Sequence, residues 1–339
     1  MRRSAFGDMR KLLLYCGLCG LSIVAKAQQR PQYAQYMLNN FLLNPAIAGV
    51  EDYADVKLSS RSQWVGIEGA PVTFYLTGHT RLGQQDRPSM VNGSVQKLGD
   101  FAPSSKQYGN YRRRKPFHGL GASVLHDRIG PFVRTEAQVT YAYHVWLTKD
   151  IKLASGLSAG VAQQSFRAGK ASFADPTDVL ASGRSSAAPT ASAGVWLYAS
   201  NFYAGTSAYS VFQSKTEPAT ANPTPAPHLF LTAAYKFMLL PEVAVVPSVL
   251  VKLLQPLPVS LDFSLRTVFA DRLWVGVAYR QDDSFSGLAG ISLNHTFDIG
   301  YAYDLGRSNV STASQGSHEL VLGVRLLNRQ KAVGPSNLW

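Results

Sequence analysis

Apolar and polar residues alternate along most of this chain with a period of two, while the helical period of 3.6 is almost absent. Between residues 132 and 147, Val133, Thr135, Ala137, Val139, Tyr141, Tyr143, Val145 and Leu147 share one side. Arg134, Glu136, Gln138, Thr140 and His144 share the other. The pattern recurs with Val259, Leu261, Phe263, Leu265, Thr267 and Phe269 against Ser260, Asp262, Ser264 and Arg266. It returns with Phe297, Ile299, Tyr301, Tyr303 and Leu305 against Asp298, Gly300, Ala302, Asp304 and Gly306. Such strands have one wet face and one apolar face, which a soluble sandwich would also give.

Strand length and number separate the two. The alternation places strands near 53–60, 72–82, 117–127, 132–147, 151–166, 189–199, 202–212, 228–238, 243–254, 258–269, 273–281, 287–294, 297–305 and 317–327. Many run ~10 residues or more, against ~5–6 in soluble sheets, and that length suits a tilted membrane strand. An even number, about fourteen, predicts an all-β fold: a transmembrane antiparallel β-barrel with both termini in the periplasm. Tight connections fall at Arg128-Ile129-Gly130-Pro131, Thr148-Lys149-Asp150, Leu240-Pro241-Glu242 and Ala270-Asp271-Arg272, and longer ones at 83–116, 167–188, 213–227 and 306–316. Inward Gly119, Gly121, Gly156, Gly160, Gly276 and Gly300 suit a curved sheet around a crowded interior.

Composition narrows the class further. Hydrophobic residues make up 46% of the 339 residues and charged residues only 16%, against about 25% charged in soluble domains. Disorder would need the opposite balance. Mean hydropathy is −0.05, and one apolar run, at the N-terminus, is too little for a helical membrane bundle. A barrel has this profile because its lipid-facing and lumen-facing residues average out.

Residues 1–27 read as a cleaved signal peptide, with Arg2, Arg3, Arg10 and Lys11, an apolar stretch over 12–24, and Ala25-Lys26-Ala27 as the cleavage site. Cys16 and Cys19 would leave with it, which excludes disulfides and cysteine-held metals from the exported chain. Five basic residues (Arg2, Arg3, Arg10, Lys11, Lys26) and one acidic residue (Asp8) would go too, lowering the net charge from +12 to +8. That balance suits anionic partners, but export argues against nucleic acid. The expected organisation is a signal peptide (1–27), an N-terminal periplasmic or lumen segment (28–52), the barrel (53–327) and a C-terminal tail (328–339).

Candidate chemistry is sparse. Seven histidines are scattered without metal-ligand spacing, no G-x-S-x-G elbow occurs, and Gly119-Leu120-Gly121 lacks the context of a nucleotide loop. No catalytic residue, cofactor or metal is expected; a barrel hydrolase stays a minor alternative. The sharpest charge feature is Arg112-Arg113-Arg114-Lys115 within 83–116. It suits lipid phosphates or an acidic protein face, or a merely solvated loop. Strand parity puts that long connection on the periplasmic side, against the rule that periplasmic turns are short. Either a strand is miscounted or the loop is a docking insertion.

Several motifs together resemble the PorP/SprF family. They are Gln32-Tyr33-Ala34-Gln35-Tyr36-Met37, Leu43-Asn44-Pro45-Ala46-Ile47-Ala48-Gly49 and Arg61-Ser62-Gln63-Trp64-Val65-Gly66-Ile67-Glu68-Gly69-Ala70-Pro71. Ile129-Gly130-Pro131, Tyr141-Ala142-Tyr143-His144, Gly300-Tyr301-Ala302-Tyr303-Asp304 and Gly316-Ser317-His318-Glu319-Leu320 continue the resemblance in order. The resemblance implies a non-enzymatic outer-membrane barrel of the Bacteroidetes type IX secretion system. It also implies outer-membrane lipid, other secretion components and cargo with a C-terminal sorting domain as partners, with gliding motility in some species. A passive pore or solute transporter of the same fold is the alternative.

Candidate plug or partner contacts are Tyr36, Met37, Asn44, Pro45, Arg61, Gln63, Trp64, Arg112, Arg113, Arg114 and Lys115. Asn44-Pro45 fixes a turn before the first strand. Tyr36, Met37, Phe41, Leu42 and Leu43 form an apolar cluster ahead of it, expected to enter the lumen or dock at the periplasmic mouth. Arg61 and Trp64 flank a strand end. They read either as an interfacial aromatic beside a snorkelling cation or as plug or partner contacts.

Overall fold

In lipid no water is present to satisfy backbone polar groups, so strands with this alternation must close into a ring. The computed structural model describes residues 35–83, 115–167, 184–212, 227–254, 257–281, 283–307 and 314–328. The proposed signal peptide, Arg112, Arg113, Arg114 and residues 329–339 of the tail lie outside them. After three short 3-10 turns, Tyr36–Leu38, Asn40–Leu42 and Pro45–Ile47, come fifteen strand segments. They are β1 (Ala54–Ser62), β2 (Val72–Arg81), β3 (Phe117–Ile129), β4 (Phe132–Trp146), β5 (Lys152–Phe166), β6 (Arg184–Tyr198), β7 (Phe202–Val211), β8 (His228–Tyr235) and β9 (Phe237–Leu240). Then follow β10 (Val243–Leu254), β11 (Ser260–Phe269), β12 (Leu273–Arg280), β13 (Ser284–Ser292), β14 (Phe297–Gly306) and β15 (Ser317–Leu326).

Each strand pairs antiparallel with its successor, β8 and β9 both lie against β10, and β1 closes on β15 with Ala54 opposite Leu326 and Ser62 opposite His318. Because β8 and β9 are one strand interrupted at Lys236, the ring has fourteen members. The expected barrel and its strand number are therefore both present. Two strands begin earlier than the alternation suggested, β6 at Arg184 and β13 at Ser284. The first residues of β6, Ser185-Ser186-Ala187-Ala188, offer little contrast between polar and apolar, whereas β13 opens on only one apolar residue, Phe285, before Gly287.

The ring has two unlike ends. Five tight connections, at 147–151, 199–201, 241–242, 270–272 and 293–296, share one end with Ala54, where the barrel starts, and Leu326, where it stops. The β11–β12 turn is closed by Ala270 and Asp271, both at positive φ of 49° and 53°, as a two-residue hairpin requires. By the short-turn rule this end faces the periplasm. The 82–116 connection belongs to the same end, so the conflict noted from sequence does not come from a miscounted strand. At the other end, Trp64, Gly66 and Gly69 take positive φ in the β1–β2 loop. This loop is tied to its neighbours by Val65 N–H to the Gly316 carbonyl (2.9 Å) and Gly130 N–H to the Gly69 carbonyl (2.8 Å).

The outer wall is apolar. Val139, Leu157, Val161, Leu231, Leu265, Val277 and Leu320 are exposed at its surface. Aromatic side chains gather near both rims: Phe132 edge-on to Phe166 (5.0 Å) and Tyr279 beside Phe285 (4.7 Å) at the loop end, Tyr235 beside Phe237 (4.6 Å) at the turn end. Such girdles mark the two membrane interfaces. Val139, midway along β4, is 67% exposed. Val139→Arg is expected to destabilise the barrel by about 2–4 kcal/mol, read by urea unfolding from lipid vesicles.

Candidate functional site: a plugged lumen between two ionic tiers

Residues 35–50 cannot form a strand: Asn44-Pro45 breaks the chain, and the stretch has no alternation. Instead the three 3-10 turns fold up inside the ring. Asn44 caps the third, its Oδ1 accepting from Ala46 N–H at 3.0 Å with Pro45 in the first position, where a missing N–H does no harm. Tyr36, Met37, Phe41, Leu43, Ala46, Ile47 and Ala48 are buried. They form two apolar clusters with wall residues including Tyr75, Leu125, Phe230, Leu250 and Trp274 in one, and Trp196, Tyr198 and Tyr203 in the other. Thus the hydrophobic core of this protein lies within the lumen.

Polar contacts hold the segment to strands around the ring. Gln35 Nε2 donates to the Glu319 carbonyl on β15 at 3.1 Å. The Tyr36 hydroxyl meets Ser248 on β10 (3.2 Å) and Ser264 on β11 (3.1 Å). Asn39 donates to Thr77 on β2 (2.9 Å), and Asn44 Nδ2 to the carbonyls of Val195 on β6 (3.0 Å) and Thr206 on β7 (3.1 Å). The Leu43 carbonyl accepts from Ser207 (2.5 Å), and the Ala48 carbonyl meets His144 Nε2 on β4 (2.8 Å). Buried polar atoms need such partners, and here the partners lie on opposite walls.

Glycines make the fit possible. A methyl group at Gly119 would overlap the Ala48 carbonyl, one at Gly156 would overlap Pro45 and Ala46, and one at Gly194 would overlap the Asn44 side chain. Gly121 and Gly300 face Phe41 and Gln35 in the same way. The crowded interior read from the sequence is thus crowded by the chain's own N-terminal segment.

Two ionic tiers lie above and below this apolar middle. At the loop end Arg61 bridges Asp304 (2.5 Å) and Glu319 (3.0 Å). Arg134 and Tyr209 share Glu136 (2.8 and 2.7 Å), and Asp262 takes Lys252 (2.9 Å) and Arg280 (3.1 Å), which also reaches Asp283 (3.0 Å). At the turn end Asp55 pairs with Lys57, Asp52 with Arg81 and Asp298 with Arg325 (3.1 Å). Burial, together with nearby Glu51 and Asp55, holds the Tyr53 phenol well above its ordinary value, so it stays a neutral group at this mouth. Among the described residues no cluster of His, Cys, Asp or Glu has the makings of a metal site.

The residues singled out from sequence divide accordingly. Tyr36, Met37, Asn44 and Pro45 sit in the lumen segment. Arg61 is 3% exposed and points inward, which corrects the snorkelling-cation reading: its two carboxylate partners are on β14 and β15, invisible to a local motif. Gln63 and Trp64 lie in the β1–β2 loop, with Gln63 N–H on the Pro71 carbonyl (2.9 Å) and Trp64 N–H on Ser317 Oγ (3.2 Å). Lys115 is exposed just before β3. Asp262, Arg280, Asp298 and Arg325 were missed as a site; their inward positions in alternating strands were the available signal.

Two substitutions test this arrangement. Gly119→Leu is expected to push residues 35–50 from their seat, since overpacking costs about 1–3 kcal/mol. Faster proteolysis within 35–50 would follow, with the barrel still shifting on heating before electrophoresis. Arg61→Ala strands two buried carboxylates and is expected to destabilise the fold by about 3–5 kcal/mol, read as a lower urea midpoint.

Comparison with known proteins places the chain. Among solved structures it is similar to the toluene transporter TbuX of Ralstonia pickettii, with 9% identity and a TM-score of 0.49, covering 86% of this chain and 93% of that one. It is also similar to Omp33 of Acinetobacter baumannii (9% identity, TM-score 0.47, 82% and 100% covered). A Pseudomonas aeruginosa FadL homologue gives 10% identity, a TM-score of 0.45 and coverage of 88% and 94%. No curated protein matches the chain. The model of the type IX secretion system membrane protein family PorP/SprF matches residues 25–324. The chain therefore belongs to the PorP/SprF family, as an outer-membrane barrel of the type IX secretion system.

Proposed function

We propose that this protein is a non-enzymatic, internally plugged barrel that supports export or surface attachment of type IX cargo through contacts made at its two ends. The observation that carries the proposal is the seating of residues 35–50 across the lumen, with bonds to β2, β4, β6, β7, β10, β11 and β15. A bore filled with hydrogen-bonded, tightly packed chain is a poor route for a folded or unfolded polypeptide. Work done by such a barrel falls to its rims, its loops and its lipid-facing wall. Partners in this reading are other secretion components at the periplasmic end and cargo bearing a C-terminal sorting domain, including adhesins of gliding motility. The signal peptide 1–27 delivers the chain and is removed. Within the N-terminal segment 28–52, the described residues from 35 on fill the lumen, 53–327 make the barrel and 328–339 a tail, with Arg112, Arg113, Arg114 and Lys115 offering a basic contact from the 83–116 connection.

Deleting residues 28–48 is expected to abolish secretion of sorting-domain cargo while the barrel remains heat-modifiable on gels. Normal secretion by that strain would overturn the proposal. In planar bilayers the intact protein is expected to show no large cargo-independent conductance; a large open channel would favour a passive pore instead.

A further inference from the structure

Among the described residues, three histidines stand on the outward faces of strands, and two of them are held in the same way. His118 on β3 lies opposite Tyr143 of β4, and its Nδ1 meets the Tyr141 hydroxyl at 2.6 Å. His318 on β15 lies opposite Tyr303 of β14, and its Nδ1 meets the Tyr301 hydroxyl at 2.6 Å. The ring centroids agree as well. They lie 5.8 and 5.2 Å from His118 to Tyr141 and Tyr143, and 6.1 and 5.1 Å from His318 to Tyr301 and Tyr303. Tyr-Ala-Tyr on one strand with a histidine in register on the next builds both units. The third outward histidine, His126, meets the Thr135 hydroxyl instead (2.9 Å).

The two units occupy opposite rims. His118 is the second residue of β3, at the turn end, and His318 the second of β15, at the loop end. The ladder joins His318 through Ser62 and Val72 to Arg128, ten residues along β3 from His118. That is about 33 Å of strand at ~3.3 Å per residue. A tilt of roughly 40° turns it into about 25 Å, the height of the apolar band. Each histidine therefore sits near the headgroups of one leaflet. β3 and β15 are paired on both sides, so their outward faces meet the bilayer. Every carboxylate of the four strands turns inward: Asp127, Glu136, Asp298, Asp304 and Glu319. Cations stand outside. Lys115 is exposed just before β3, and the Arg307 guanidinium lies over the outward Phe285 ring (5.9 Å).

We propose that His118 and His318 each bind the phosphate of a bilayer lipid, one in each leaflet. With the tyrosine hydroxyl donating to Nδ1, the ring proton stands on Nε2, which is left as a donor facing away from that hydroxyl. A lipid phosphate accepts from it, and a surface with cations and no outward carboxylate favours that charge. The second tyrosine packs on the imidazole and holds its direction. Interfacial tyrosines are expected at both rims of any barrel. That expectation does not place a histidine in register beside each pair, tied by the same hydroxyl. The inference rests on the chain being an outer-membrane barrel, and goes beyond the proposed export role by naming two sites on the wall and the chemistry of their ligand.

The test uses the full chain, isotopically labelled at histidine and stripped of lipid in detergent. Imidazole signals are followed by NMR while dioctanoyl phosphatidylglycerol is added, with His118→Phe and His318→Phe assigning the two signals. Both are expected to shift and saturate while the His126 signal stays. Dioctanoylglycerol, which lacks the phosphate, and inorganic phosphate, which lacks the chains, are expected to shift neither. Tyr141→Phe and Tyr301→Phe remove the hydroxyl and are expected to weaken binding at their own site about tenfold, with the barrel still heat-modifiable. Absence of either shift overturns the inference, as do equal shifts with dioctanoylglycerol or inorganic phosphate, an equal shift of His126, or unchanged affinity in the tyrosine variants. Cargo secretion in the 28–48 deletion reads the proposed function, so either can fail without the other.

Discussion

The inner wall lacks side chains where residues 35–50 press against it, and most of this structure depends on that absence. Gly119, Gly156, Gly194 and Gly300 each sit where a single methyl group would meet the lumen segment. Glycine in a strand interior weakens the strand, both by entropy and by lost packing. The barrel recovers that loss through closure, which leaves almost no edge, and through an apolar core assembled around the segment rather than between sheets. A barrel of this size without such a filling would enclose water. With it, Tyr36, Phe41, Leu43 and Ile47 are as buried as the core of a soluble domain.

The ionic tiers follow from the same packing. Charged side chains on inward positions cannot stay hydrated where the segment fills the bore, so they collect toward the two ends and pair with one another. Arg61 with Asp304 and Glu319, and Asp262 with Lys252 and Arg280, tie adjacent strands at the loop end. Breaking such a pair is costly because the remaining charge is left buried. The Arg61 motif is therefore explained by what it reaches, and its glycines by backbone: Gly66 and Gly69 take φ of 95° and 74° in the loop that follows.

Family membership and plugging together shift attention from the bore to the rims. At the loop end the β1–β2 loop is tied to the segments before β15 and between β3 and β4. At the turn end the strands are joined mostly by tight hairpins, and β4 and β9 each run a few residues past one neighbour. The 82–116 connection begins and ends at that same end.

Alternation and strand length by themselves determined the barrel, its fourteen strands and the two-sided wall, because lipid on one face and a polar or packed interior on the other impose a period of two wherever a strand crosses. The same pattern misplaced the starts of β6, where serine and alanine carry no contrast, and of β13, where Phe285 alone precedes Gly287. The tightness of the interior was legible from inward glycines, and Asn44-Pro45 marked a segment that could not be a strand. Which contacts that segment makes was not legible, since its partners are spread from Thr77 to Glu319 along the chain. The pairing of Arg61 depends on β1 closing on β15, which brings Glu319 and Asp304 beside it. Those facts belong to closure of the ring, which brings distant residues together by hydrogen-bond register and leaves no local trace in the sequence.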